Sequence, residues 1–183
     1  INNLTNIFRK LIINDVNIRP KQKHTKKEYT YVPYSLEFSC NYIQFGMFLA
    51  SLAANERLIQ IDEFKFLNTP DLATRELELG KKRLADAKIT ITISTVTLTP
   101  PNNTLTTNHI NDISNIVNNN FWASTLIQLS EITPNDMCIT KLEYGNNTLN
   151  ITAISRIKDR RDRKDHEILN NFIAILEDHE DFK

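Results

Sequence analysis

Apolar residues recur at helical spacing from Asn3 to Asn14, where Leu4, Ile7, Phe8, Leu11 and Ile12 share one face. Val16 and Ile18 then alternate in a short strand, Asp15–Arg19, which Pro20 ends. Lys21–Lys27 reads as a polar basic connection. Tyr29–Cys40 alternates again, with Tyr34, Leu36, Phe38 and Cys40 on one face. Pro33 lies inside that run, so its N-terminal part is expected at an edge or a bulge. Asn41 is a good N-cap for a helix running to about Asn55, with Phe45, Phe48, Leu49, Leu52 and Ala53 as its stripe. Leu58–Phe66 is a strand whose phase slips from Ile59 and Ile61 to Phe64 and Phe66, which predicts a bulge at Asp62-Glu63. Asn68–Pro70 breaks the chain, and Asp71–Ala87 fits neither period. Lys88–Leu98 is a strand, with Ile89, Ile91 and Ile93 alternating against Thr90, Thr92 and Ser94.

Residues 1–98 therefore read α-β-β-α-β-β, the order of a ferredoxin-like double αββ unit. Residues 99–107 form a linker rich in Pro, Asn and Thr. A second unit begins near Asn108 with one long helix, carrying Ile110, Ile113, Val117, Trp122, Leu126 and Leu129, which Thr133-Pro134 stops. Met137–Glu143 and Thr148–Ile154 are strands joined by the hairpin signal Tyr144-Gly145-Asn146-Asn147. Arg160–Glu177 is the last helix, with Ile168, Leu169, Phe172, Ile173 and Leu176 as its buried stripe. This second unit, residues 108–183, is α-β-β-α and stops before the two strands that would complete it. The fold class is α+β: two ferredoxin-like units, the second truncated, with helices on one face of antiparallel sheets.

Composition narrows the chemistry. Among 183 residues, 22 basic side chains balance 22 acidic ones, which argues against a general phosphate-binding surface. The three glycines, Gly46, Gly80 and Gly145, are too far apart for any phosphate-cradling loop, and their scarcity also removes an acylphosphatase-type enzyme. Two cysteines exclude a disulfide scaffold and a thiolate zinc cage. No apolar run reaches the roughly 18 residues of a membrane span, and no signal peptide is recognisable. A start at Ile1 rather than Met suggests a processed or cut fragment, so an anchor before it is invisible.

The charged clusters have plain explanations. The basic run Arg19, Lys21, Lys23, Lys26 and Lys27 lacks the interleaved stacking aromatics of an RNA-reading sheet and reads as a solvated connection. In Arg156–His166, Arg160, Arg161, Arg163 and Lys164 alternate with Asp159, Asp162 and Asp165, as in a helix start laced with local ion pairs. His24, His109, His166 and His179 have no chelating spacing. Cys40 and Cys138 sit in strands and read as small buried thiols. Asp62-Glu63 and Glu76/Glu78 are carboxylate pairs of a kind that glycosidases use but that chance also supplies. No catalytic, cofactor-binding or metal-ligating residue is assigned, and no cofactor is expected. The stripes Leu4–Ile12 and Ile110–Val117 could each be core or the end of a longer helix that pairs with a partner.

The stretch Val32–Phe66 resembles the PilO family of type IV pilus assembly proteins. The matching features are the alternating strand after Pro33, the helix with Phe48-Leu49 and Leu52-Ala53, and Arg57-Leu58-Ile59 opening the next strand. Trp122–Leu142, with Asn147–Ile154 and Ile168–Phe182, resembles the partner family PilN in its Trp-led helix, Pro turn, hairpin and final helix. The resemblance implies a non-enzymatic scaffold at the extracytoplasmic face of a bacterial inner membrane, held by an anchor outside this fragment. Its partners would be a PilN- or PilO-like protein, a second copy of itself and other pilus assembly proteins, with no nucleic acid. The two patterns usually occur in separate proteins; a fusion, a cut chain or missing stretches would each explain their union. Two other readings stay open: a ferredoxin-like RNA-binding or ligand-sensing module, and an enzyme with an unrecognised carboxylate or thiol site.

Overall fold

The computed structural model describes residues 2–26, 29–55, 57–68, 87–98, 122–134, 137–155 and 164–179. Among them are helices α1 (Asn2–Lys10), α2 (Tyr42–Ala53), α3 (Trp122–Ile132) and α4 (Lys164–Asp178). The strands are β1 (Asn17–Pro20), β2 (His24–Lys26), β3 (Tyr29–Cys40), β4 (Ile59–Leu67), β5 (Ala87–Leu98), β6 (Met137–Gly145) and β7 (Thr148–Ser155). All seven strands belong to one antiparallel sheet, ordered β1-β3-β5-β4-β6-β7, with β2 also pairing β3. The fold is α+β.

The hairpin of the second unit, whose open edge calls for a partner strand, finds it in the first unit, so that both units share one sheet. The β6–β7 hairpin extends the first sheet: Phe64, Lys65, Phe66 and Leu67 of β4 stand opposite Tyr144, Glu143, Leu142 and Lys141. Burial explains the join. Phe64, Phe66 and Leu142 lie on the apolar side of that seam and are all buried, and pairing the two edges also satisfies their backbone groups. A ring chain crosses the seam, from Phe64 to Trp122 on α3 at 5.0 Å and from Trp122 to Tyr144 at 4.3 Å.

Three local expectations are corrected. The basic connection Lys21–Lys27 contains β2, whose His24, Thr25 and Lys26 pair with Tyr31, Thr30 and Tyr29. Pro33 is not on an edge strand, because β3 is flanked by β5 on one side and by β1 and β2 on the other. The proline is tolerated because its carbonyl accepts from Lys21 N at 2.9 Å on the β1–β2 side. A strand residue sends its N and its C=O the same way, so the missing donor faces the break between β1 and β2. The first helix ends at Lys10, and Ile12 is 77% exposed rather than part of the buried stripe. There Ile13 N donates to Phe8 O and Ile12 N donates to Arg9 O, with Ile12 at φ 57°. That is a Schellman stop, which turns Ile12 outward and Ile13 into the core.

The helix-facing side of the sheet carries the core. Leu36, Phe38, Ile61, Phe64, Phe66, Ile89, Ile91 and Ile93 are buried against Leu4, Phe8, Phe45, Phe48, Leu49 and Leu52 of α1 and α2. The predicted slip in β4 is present: Ile61 pairs with Ile93, Glu63 with Thr92, and the extra residue is Asp62. Asn41 caps α2 in a capping box, accepting from Gln44 N at 2.9 Å while Gln44 Oε1 accepts from Asn41 N at 3.1 Å. Leu126 and Leu129 of α3 complete the core over β6. Among the described side chains of α4, Phe172 is buried and Ile168 and Leu176 are half-buried; Leu169 and Ile173, expected inside, are exposed. The helix packs on β7 at the sheet margin, so one narrow stripe is all it can cover. The linker at 99–107, the helix start at 108–121, Asp71–Leu84 and Arg156–Arg163 lie outside the described residues.

Candidate interaction surface

The helices leave the other side of the sheet polar. The bulge in β4 turns both Asp62 and Glu63 to this side. Ser94 donates to Asp62 Oδ2 at 2.6 Å, and Thr92 donates to Glu63 Oε1 at 2.8 Å. Lys21 Nζ donates to Thr92 Oγ1 at 3.0 Å and lies 3.5 Å from Glu63. Burial pushes the Asp62 carboxyl above its ordinary range; the Ser94 hydrogen bond opposes this, neighbouring Glu63 adds to it, and His24 and Lys21 counter it. Further along, Glu143 receives Lys141 and Lys65, each at 2.6 Å, and these hydrogen bonds hold its carboxyl below the usual value. Glu63, Lys65, Thr90, Thr92, Glu143 and Tyr144 help line a cleft of about 260 Å³.

The sequence-flagged residues distribute as follows. Asp62 and Glu63 come together, but with hydroxyl donors and a lysine, a set that stabilises a sheet face. Lys21 of the basic run joins them, while His24 stacks on Tyr31 at 5.2 Å. Cys40 is buried in the core and Cys138 half-buried on β6, neither in a disulfide. His109, Glu76 and Glu78 lie outside the described residues. Among the described residues, no group of three or more His, Cys, Asp or Glu side chains is placed to hold a metal. None of the described helices is long and apolar enough to cross a membrane.

The helix layer shows a different kind of surface. Between Tyr42 and Ala53, α2 carries no charged residue at all. Its inner stripe is buried, yet Ile43 and Met47, one turn apart on the outer side, are 55% and 52% exposed. Gly46 and Ala50 lie beside them on that side, and a Cβ on Gly46 would meet nothing within 4 Å. Tyr42 anchors this helix to α3 by donating to Leu126 O at 2.7 Å, and burial raises its phenol pKa. The next residue of α3, Ile127, is 58% exposed. A helix face that carries no charge and holds two large apolar side chains in water is of the kind that a partner covers. This surface was missed in the periodicity, which identifies the inner stripe; the signal was available in the absence of any charge from Tyr42 to Ala53.

Comparison with known proteins adds one match. A family model described as the Type IVa pilus alignment subcomplex PilO C-terminal domain matches residues 3–99. No curated protein and no solved structure matches.

Proposed function

The chain belongs to the family of type IVa pilus alignment subcomplex PilO C-terminal domains, and from that premise we propose a non-enzymatic scaffold component of the pilus inner-membrane assembly complex. It acts by protein–protein association at the extracytoplasmic face, through ferredoxin-like units. The first unit is the PilO-like domain, residues 1–98; residues 108–183, after a linker at 99–107, form a PilN-like partial domain fused to it by the β4–β6 seam. Its partners are a PilN- or PilO-like protein, or a second copy, together with other pilus assembly proteins.

The observation that supports this reading is the uncharged outer side of α2. Ile43 and Met47 stay in water on a helix that carries no charged residue. Such a surface suits a partner's apolar side chains, with Gly46 and Ala50 permitting close approach. The polar side of the sheet carries paired charges and bonded hydroxyls instead.

The test uses the full chain in its own bacterium with the chromosomal copy removed. Ile43→Asp with Met47→Asp places two charges on the outer side of α2 and leaves the core intact. The expected result is an unchanged circular dichroism spectrum and melting curve, with loss of surface pili and of co-purification with the PilN-like partner. Normal piliation and normal co-purification by the double variant would overturn the reading.

A further inference from the structure

The charges of this chain balance overall but not along it. The segment Arg19-Pro20-Lys21-Gln22-Lys23-His24-Thr25-Lys26 holds four of the 22 basic side chains and none of the 22 acidic ones, so the remainder is net negative. Every residue of the segment is exposed. It runs along β3, from the end of β1 through the connection into β2.

Register puts the cations on one side. Directly opposed residues of antiparallel strands share a face. Arg19 opposes Ser35, His24 opposes Tyr31 and Lys26 opposes Tyr29. These β3 residues alternate with Leu36 and Phe38, which the helices bury, so the three basic side chains project from the opposite, polar side. Lys21 does too, since it reaches Thr92 and Glu63 there. Neighbouring cations are two or three residues apart, roughly 7–10 Å of strand. That is about one Debye length at physiological salt, so their potentials add.

We propose that this row docks the protein on the headgroups of an anionic phospholipid membrane. The inference rests on the reading of the chain as a component of the pilus inner-membrane assembly complex. Three observations choose this partner. The row is mostly lysine, a point charge on a flexible stem, which suits an array of mobile phosphates better than one fixed anion. Pro20 and one extra residue, between Pro20 opposite Tyr34 and His24 opposite Tyr31, break the edge, which disfavours a peptide adding as a strand. The rings on which a nucleic-acid base could stack are taken, because Tyr29 is 3% exposed and Tyr31 stacks on His24. Lys21 is held toward Glu63, so Arg19, Lys23 and Lys26 carry most of the attraction. Each such cation raises affinity for an anionic surface about fivefold.

Flotation of the purified chain with vesicles tests it, comparing phosphatidylcholine alone with phosphatidylcholine mixed with phosphatidylglycerol. The wild type is expected to float with the anionic vesicles at low salt, to leave them at high salt and to ignore the neutral ones. Arg19→Gln with Lys23→Gln and Lys26→Gln should weaken that binding about a hundredfold, with an unchanged melting curve. Arg9→Gln with Arg57→Gln and Lys88→Gln removes three exposed cations elsewhere and should stay within about threefold of the wild type. The charged double variant of Ile43 and Met47 keeps the row and should still bind vesicles, so this inference and the pilus reading fail separately. No binding to anionic vesicles at low salt, or an equal loss in the two triple variants, would overturn the proposal. So would tighter binding to polyglutamate or to single-stranded RNA than to the vesicles, which would assign the row to an acidic peptide or to a nucleic acid.

Discussion

Ile12 is the position where the fold strains against its own sequence. It occupies the left-handed region at φ 57°, and it must, because the Schellman stop of α1 needs that conformation for Ile13 N to reach Phe8 O at 3.0 Å. A left-handed L-residue carries a penalty of about 1–2 kcal/mol from the clash of its Cβ with the carbonyl, and β-branching adds to it. Burial cannot repay this, since the side chain lies mostly in water. Ile12→Gly removes the clash and sacrifices little packing. Against this, glycine gives the unfolded chain extra freedom, worth about 0.4–1 kcal/mol. The difference predicts a net stabilisation of roughly 0.5–1 kcal/mol. Urea denaturation followed by circular dichroism at neutral pH would measure it as a higher midpoint with an unchanged slope. Ile12→Asn, which tolerates the same conformation, should stabilise by less, and Ile12→Ala should gain nothing comparable. A lower midpoint for Ile12→Gly, or equal midpoints for Gly and Ala, would refute the argument that φ at this residue carries the strain.

Three further expectations rest on other parts of the structure. Leu36→Ala or Ile91→Ala, both at fully buried positions facing the helices, should cost about 2–5 kcal/mol in the same melts; losses below about 1 kcal/mol at both sites would contradict the face assignment. Gly46→Ala on α2 should stabilise the chain by about 0.5–1 kcal/mol, since the new methyl meets nothing; an unchanged or lower midpoint would refute the open outer side of this helix. Asp62 has a folded pKa raised chiefly by burial, so the folded state favours its protonated form. Its stabilising contribution is full below the unfolded carboxylate pKa and is lost as pH rises through the folded value. Asp62→Asn should therefore gain on the wild type between acid and neutral pH, and parallel stability curves for the two proteins would reject the assignment.

Much of this fold was legible along the chain because its elements are locally consistent. The alternation of Tyr34, Leu36, Phe38 and Cys40 marks the second half of β3, which runs from Tyr29 to Cys40. The slip from Ile61 to Phe64 marked the β4 bulge, since a period-two pattern can change phase only by inserting a residue. The Asn41 cap and the Asn146-Asn147 turn were equally visible, because side-chain chemistry and backbone conformation coincide at such positions. Ile12 and Ile13 were harder: periodicity continued the helix through Ile12, but the chain turns one residue earlier and exchanges their environments.

What only the tertiary structure decided was which edges meet and which faces stay open. The alternation of Met137–Gly145 says that a strand forms there but not that it will lie beside β4, because backbone pairing is indifferent to sequence. The choice came from burying Phe64, Phe66 and Leu142 together, under Trp122. The exposure of Leu169 and Ile173 was likewise invisible, since an apolar stripe states what a helix could cover and not how much surface it is offered. The same holds for Ile43 and Met47 on α2. Local sequence sets period, caps and turns because those depend on neighbours within a few residues. Partnership depends on residues about eighty positions apart, such as Tyr42 and Leu126, and is resolved only when the whole apolar surface is packed at once.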